Sequence, residues 1–352
     1  MSDNKSILFA DCPLPIRDTS QILLGHGSGG KLTAELIEKV FLPALGNEHL
    51  NRLDDAAALT FGEHRIAFTT DSYVVTPIFF PGGDIGSLAV NGTINDLSMV
   101  GATPRALSLA FIIEEGFSTS ELRQIVESIR DAATSAGVKI VTGDTKVVGK
   151  GSGDKIFINT SGIGLIPEGV DLSSANVVDG DEILLSGTIG DHGVAILSKR
   201  EGLEFEGPLA SDTAALHSLV AAMLAASRSI HALRDPTRGG LSSTLVEIAS
   251  RQGLGMEIDE DALPVRDSVR GACEMLGLDP LFVANEGKLV AFVPREHSDG
   301  VLAAMRNHPL GRDAVRIGRV VTDKVGRVRL RTPIGGERIL ELPFGELLPR
   351  IC

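Results

Sequence analysis

Tryptophan is absent from this 352-residue chain, tyrosine occurs once, and aromatic residues make up only 4% of it. With 43% hydrophobic residues and 40 glycines, its cores must be aliphatic and small-residue-rich rather than aromatic. Cysteine is scarce too: Cys12, Cys273 and Cys352 form an odd, scattered set with no C-x-x-C pair. That argues against a disulfide framework or thiolate zinc site and points to a reducing cytoplasm. No stretch approaches the roughly 18 unbroken apolar residues of a membrane span, and Met1-Ser2-Asp3-Asn4-Lys5 leads into no signal-like apolar run. A soluble cytoplasmic protein is expected. Positive charge is also in deficit. The net charge of −13 disfavours nucleic acid or an anionic membrane as the main partner. It sets a condition as well, because an acidic protein that takes a polyanion such as ATP needs cations between the two.

The length favours two domains. Residues 1 to about 21 lack periodicity, contain Pro13 and Pro15, and read as an irregular arm. Gly25-His26-Gly27-Ser28-Gly29-Gly30-Lys31 then precedes an amphipathic helix with Leu32, Leu36, Ile37, Val40 and Phe41 on one face. The glycine stretch nearly fits a P-loop, but Leu32 stands where a Ser or Thr should hold magnesium, and no lead strand precedes it. It reads either as a plain turn or as a phosphate-covering loop. Residues 65–70 form a strand ending in Asp71-Ser72. Residues 85–100 look helical yet carry Asp96 as their only charge, with Asn91, Asn95 and Ser98 along one side. A carboxamide stripe on a buried helix needs partners, and ligand or metal lining is preferred here over an internal network.

Residues 104–113 read as a strand, and Ser118-Thr119-Ser120-Glu121 as a capping box opening a helix to Gly137. A strand at 138–142 delivers Gly143-Asp144-Thr145-Lys146, and residues 150–154 make a hairpin-like link into a strand at 156–166. In the second half, the glycine turn 187–193 offers backbone N–H groups to an anion before a helix. Helices follow at 212–226 and 240–251, separated by Arg234-Asp235-Pro236-Thr237-Arg238-Gly239-Gly240. Asn285-Glu286-Gly287 separates strands at 281–283 and 288–293, and further strands lie near 314–321, 327–331 and 338–342.

Asp54, Asp55, Asp71, Asp96, Asp144 and Asp235, accompanied by Lys31 and Lys146, form an oxygen-donor set without His or Cys partners. Such a set suits magnesium, and magnesium with a nucleoside triphosphate meets the charge condition. From the residues alone, the chain reads as a magnesium-dependent phosphoryl-transfer enzyme. The last residue, Cys352, follows a proline-broken stretch, and an extended chain from Glu341 would reach roughly 35–40 Å at ~3.3 Å per residue. By itself that is either an incidental terminal thiol or a delivery arm.

The glycine stretch 25–31, Asp54-Asp55-Ala56-Ala57, Thr70-Asp71-Ser72, residues 90–97, Thr142-Gly143-Asp144-Thr145-Lys146, residues 187–193, Asp235-Pro236-Thr237-Arg238-Gly239-Gly240, Asn285-Glu286-Gly287 and the terminal Pro-Arg-Ile-Cys occur in this order. Together they resemble the HypE family of hydrogenase maturation factors (carbamoyl dehydratases). Looser forms occur in aminoimidazole ribonucleotide synthetase, selenophosphate synthetase and thiamine monophosphate kinase. The resemblance implies an α/β plus α+β, two-domain aminoimidazole ribonucleotide synthetase-like fold. Its N-terminal sheet would pair across a homodimer, and its C-terminal tail would be mobile. The corresponding boundaries are 1–45 for the arm, glycine loop and helix, 46–168 for the ATP-binding domain, 169–341 for the C-terminal domain and 342–352 for the tail. It further implies ATP-dependent dehydration of a carbamoyl group on Cys352 to a thiocyanate. A HypF carbamoyltransferase would load the group and a HypC–HypD complex would accept the cyano group for [NiFe]-hydrogenase iron. Asp55, Asp71, Asp96 and Asp235 would hold Mg2+. Asn91 and Asp144 would lie near the nucleotide, Lys31 over its phosphates, and Lys146 and Glu286 at the carboxamide. The alternative is a synthetase or kinase of the same fold acting on a free small molecule.

Overall fold

Alternation in β2 (His64–Tyr73) sets up the first domain: Ala67, Thr69 and Tyr73 are buried, whereas Phe68, Thr70 and Ser72 face outward. The computed structural model describes residues 21–352 apart from 204, 206, 208, 324, 346, 347 and 349. The expected N-terminal arm and Cys12 lie outside the described residues. Strand β2 joins β1 (Ala57–Phe61), β3 (Thr103–Glu114), β4 (Lys139–Val148) and β5 (Ile156–Ile166) in a sheet of order β1-β2-β5-β3-β4. Only β3 and β4 run parallel, as their connection through helix α3 (Thr119–Ser135) requires. Before β1, the glycine stretch leads into a short helix α1 (Lys31–Leu36).

Helix α2 (Ile85–Met99) covers the inner face of this sheet, with Asp84 capping it through the amides of Gly86 at 2.7 Å and Ser87 at 3.0 Å. It lacks a charged side because it has no solvent side. Ile85, Leu88, Val90, Ile94 and Leu97 are fully buried, each worth about 1.5–3 kcal/mol relative to exposure. Contact with β2 is close enough to demand a glycine, since a Cβ at Gly92 would fall 2.2 Å from the Tyr73 hydroxyl.

The second domain is a seven-stranded sheet. Its strands are β6 (Glu182–Leu185), β7 (Ala232–Arg234), β8 (Gly255–Asp259), β9 (Val290–Val293), β10 (Val315–Val321), β11 (Val328–Arg331) and β12 (Glu337–Leu340), in the order β12-β11-β8-β10-β6-β9-β7. Helices α4 (Asp191–Glu201), α5 (His217–Ala226), α6 (Gly240–Gln252), α7 (Asp267–Leu276) and α8 (Arg295–Arg306) complete it. Polar bonds tie the domains together. Asp54 accepts from the Ser173 hydroxyl at 2.7 Å and the Ser174 amide at 3.0 Å, and Arg234 donates to the Leu53 carbonyl at 2.9 Å.

Five expectations need correction. The carboxamide stripe of α2 is chiefly an internal network: Asn95 donates to the carbonyls of Ala214 and Glu286 and accepts from the Leu216 amide, while Ser98 bonds back to Ile94. Loops 212–216 and 284–287 cross directly over α2 and supply those partners. The expected helix at 212–226 accordingly starts only at His217. Residues 280–282 form a 3-10 turn opened by Pro280 instead of a strand, so Asn285-Glu286-Gly287 is a buried loop, not a hairpin turn. Residues 149–155 are no hairpin either, because β5 pairs with β3 and β2, not β4; the Glu114 carboxylate gathers the amides of Gly151 and Lys155. Finally, the glycine turn before α4 has no amide row to offer an anion, since Ile189, Gly190 and Gly193 donate to Pro264, Asn285 and Ala284.

Candidate active site

The β1–β2 end of the first sheet meets the second domain at a cavity of about 520 Å³ lined by Gly29, Asp55, Thr69, Arg234, Asp235 and Arg238, with Phe68 reaching it from the outer face, a size suited to a small-molecule ligand. Around it the structure gathers most of the carboxylates singled out from sequence. Asp55, just before β1, pairs with Arg234 at 3.0 Å through Oδ1, while its buried Oδ2 has no partner among the described residues. Asp96 of α2 accepts from the Thr69 hydroxyl at 2.9 Å. Asp235 is buried in the loop after β7. Asp71, on β2, faces the same side, since its cross-strand neighbour Thr160 is buried and hydrogen-bonded to Thr93 of α2. The adjacent pair thus divides its work: Asp54 fastens the domain junction and Asp55 enters the site.

Electrostatics confirm that these groups share one space. Burial raises the Asp55 and Asp96 carboxyls well above the usual range; Arg234 opposes this at Asp55, while Asp235 adds to it there and Asp71, Asp235 and Asp55 add to it at Asp96. Burial likewise pushes Asp235 up to about 6, again against Arg234. Glu286, also buried, is raised by desolvation and then by Asp235, Asp212 and Asp71, and its Oε1 has no hydrogen-bond partner among the described residues. Among the described residues no three Asp, Glu, His or Cys side chains converge into a ready-made cation shell. An orphaned Asp55 oxygen amid mutually repelling carboxylates fits a cation shared with a phosphate ligand better than one held by protein alone.

Cys352 reaches this cluster. The tail is docked in this structure: the Val74 amide donates to the Cys352 carbonyl at 3.0 Å and the Thr76 amide to the Arg350 carbonyl at 3.1 Å. Burial pushes the thiol up to about 12; Arg238 works against this, and Glu286, Asp71 and Asp235 reinforce it. Arg238 is therefore the cation facing the thiol, and it also donates to the Gly27 carbonyl at 3.0 Å. The sequence reading missed it, although it lies within the Asp-Pro-Thr-Arg-Gly-Gly stretch.

Other expected residues stand elsewhere. Lys31 is engaged with the tail: its amide donates to the Pro343 carbonyl at 3.0 Å and its ammonium lies 5.8 Å from the centre of the Phe344 ring. The Asn91 amide donates to Thr213 at 3.2 Å. Asp144 and Lys146, expected just beyond a strand, lie within β4, paired with each other at 2.7 Å and exposed. The Lys146 ammonium holds the Asp144 carboxyl below its usual range. Their cross-strand neighbours on β3 and β5 are Ala110 and Ile112, then Asn159 and Phe157, which alternate with the inward-facing Leu109 and Thr160. Within one chain, the sheet thus separates Lys146 from Glu286 and Cys352.

Two family models cover most of the chain: the AIR synthase related protein N-terminal domain over residues 53–166 and the corresponding C-terminal domain over residues 178–331. Carbamoyl dehydratase HypE of Cupriavidus necator is 55% identical over 341 residues, covering 97% of each chain. A solved HypE–HypF complex contains a chain that superposes with a TM-score of 0.84 at 51% identity, covering 88% of this chain and 99% of that one. A HypE structure in complex with ATP gives 0.80 at 49% identity, covering 94% and 100%. With both domains matched and more than half of the residues shared across nearly the whole length, the chain belongs to the HypE family of carbamoyl dehydratases, enzymes of hydrogenase maturation built on the AIR-synthase-related fold.

Proposed function

We propose that this chain uses ATP and Mg2+ to dehydrate a carbamoyl group carried on its own Cys352, giving a protein thiocyanate that supplies cyanide ligands to [NiFe]-hydrogenase iron. The observation that carries this reading is the docking of Cys352 among Arg238, Glu286 and the carboxylates of the interdomain cavity. A same-fold enzyme acting on a diffusible substrate has no need to seat its own terminal thiol there.

A carboxamide oxygen is a poor leaving group. Attack by that oxygen on the γ-phosphorus of ATP, with ADP departing, makes it a good one. Loss of the remaining N–H proton and of phosphate then leaves C≡N on sulfur. Glu286 is the proton acceptor available beside Cys352, and its raised pKa makes its carboxylate the stronger base. Arg238 neutralises negative charge at the reacting group. Asp55, Asp71, Asp96 and Asp235 would hold Mg2+, which when bound would offset the repulsion between the phosphates and the acidic wall. Asn91 borders the same inner face through Thr213, and Lys31, beside the glycine loop, would meet phosphates once it leaves Phe344.

Homodimer formation accounts for the remaining residues. Phe68, Ile112, Ile163 and Leu165 leave the outer sheet face 40–45% exposed at apolar positions, which a second copy would cover. The same contact would bring Asp144 and Lys146 towards another chain's site. A HypF carbamoyltransferase as donor is supported by the complex of a 51% identical relative, and the HypC–HypD complex as cyano acceptor by the family resemblance. Among the described residues no helix is long and apolar enough to cross a membrane. Intact-mass analysis after incubation with carbamoyl phosphate, ATP and the transferase tests the reading. A carbamoyl adduct on Cys352 that then loses one water is expected; an unchanged mass with active components overturns it.

A further inference from the structure

The terminal tripeptide is gripped by contacts that the chemistry above does not use. The Arg350 carbonyl accepts from the Thr76 amide at 3.1 Å and from Arg200 Nη2 at 2.9 Å, and the Cys352 carbonyl accepts from the Val74 amide at 3.0 Å. Between them, the Ile351 carbonyl meets His192 Nε2 at 2.8 Å. The carbonyls of Arg350 and Cys352 thus face the Val74–Thr76 backbone, while that of Ile351 faces His192. The Ile351 side chain is buried, and the Arg350 side chain returns to the Val74 carbonyl and to Asp154. Arg350 adopts φ +51°, a conformation that a non-glycine residue keeps only where its surroundings compel it.

His192 itself is immobilised. It is fully buried, its Nδ1 lies 2.7 Å from the Ser211 hydroxyl, and its ring meets Phe80 edge to face at 5.6 Å. Because a carbonyl can only accept, the Ile351 contact assigns the ring proton to Nε2, and Nδ1 accepts from Ser211 in the neutral tautomer. Burial lowers the His192 pKa and so favours that neutral form.

We infer that His192, oriented by Ser211 and aided by Arg200, is a positioning residue that fixes the register of the last three residues and thereby sets the Cys352 thiol beside Arg238 and Glu286. What happens at the thiol rests on the proposed function; the clamp does not. The clamp reads backbone carbonyls at fixed spacing. Lengthening the tail by one residue would turn the wrong carbonyl towards His192, so the device selects this thiol by its position.

The test labels the full-length protein with iodoacetamide without nucleotide, following Cys352 and Cys273 separately by peptide mass. Loss of one clamping hydrogen bond in His192→Ala should raise Cys352 labelling about tenfold while Cys273 stays at its wild-type rate. His192→Gln, which keeps an N–H donor, should fall within about threefold of wild type. In the complete reaction, His192→Ala should lower kcat by about tenfold and leave the KM for ATP unchanged. Unaltered Cys352 labelling in His192→Ala, or a Gln variant as reactive as the Ala variant, overturns the inference. Should His192→Ala expose Cys273 as well, Arg200→Gln replaces it, with the same two outcomes read at Cys352. The labelling contains neither ATP nor carbamoyl donor. Wild-type protein that shows the expected labelling pattern yet never forms thiocyanate would therefore overturn the proposed function alone.

Discussion

The two faces of the first sheet carry different halves of one expected site. On the inner face, α2 and the second domain bury Asp96, Asp235 and Glu286 around Asp71 and Cys352, where charge is costly and carboxyl pKa values climb. On the outer face Asp144 and Lys146 neutralise each other in water, and the Asp144 carboxyl is depressed. Carboxylates of like chemistry thus stand in opposite states on the two sides of one sheet. One chain supplies a buried acidic chamber and displays its remaining polar pair on the exposed outer face.

The largest effect should come from the inner face. Cys352→Ser should abolish thiocyanate formation outright while ATP still binds, measured by adduct mass and nucleotide titration. Glu286→Gln should slow dehydration by roughly 10²–10⁴-fold, as expected for loss of a positioned base, while carbamoyl-Cys352 accumulates. Survival of rapid dehydration in Glu286→Gln would move the base elsewhere and break the contrast between the faces.

The outer face offers a sharper test. If Lys146 serves another copy's site, Lys146→Ala and Glu286→Gln proteins should each be nearly inactive alone. Mixed and reassociated in equal amounts, they should recover roughly a quarter of wild-type activity, because half of the dimers are mixed and each holds one intact site. No recovery would confine Lys146 to its own chain. Ile163→Glu should act through the same face more modestly, shifting the protein towards monomer in sedimentation while leaving its thermal transition within a few degrees of wild type.

How much of this could be read beforehand depended on which face a residue occupies. Asp96 was legible because a lone carboxylate in an otherwise uncharged helix announces a buried charge, whereas Asp55 and Asp235 drew their reading from the collected oxygen donors and the resemblance. The stripe on α2 was legible as buried but not as a network, since its partners at residues 214–216 and 286 lie more than a hundred positions away and are set by topology alone. The Lys146–Glu286 pair failed within one chain for a local reason. The motif gave the strand, but an extension of β4 beyond residue 142 put Asp144 and Lys146 mid-strand, where alternation decides the face. Arg238 and His192 carried no periodic signal, and their roles depend on where the tail docks. The tail was read as a tether, and its docking was invisible because its hydrogen bonds run through backbone groups that every sequence possesses.

The smallest effect compares two described thiols. In the absence of nucleotide and magnesium, burial pushes Cys352 up to about 12 and Cys273 up to about 11, and neighbouring carboxylates add to both. A free cysteine titrates near 8.5. The docked tail therefore binds its proton more tightly than the released tail does. This contribution to docking is fully present below about pH 8.5 and is lost as pH rises towards 12. Alkylation of a free cysteine should level off above about pH 9, whereas the Cys352 rate should keep rising about tenfold per pH unit. Cys273 should follow a similar rise and turn over about one unit earlier, since burial raises it less. His192→Ala should return the Cys352 profile towards that of the free thiol and leave Cys273 where it was. Profiles in which both thiols shift together would mean that alkali loosens the second domain as a whole, and that the tail is held by general burial, not by its own clamp.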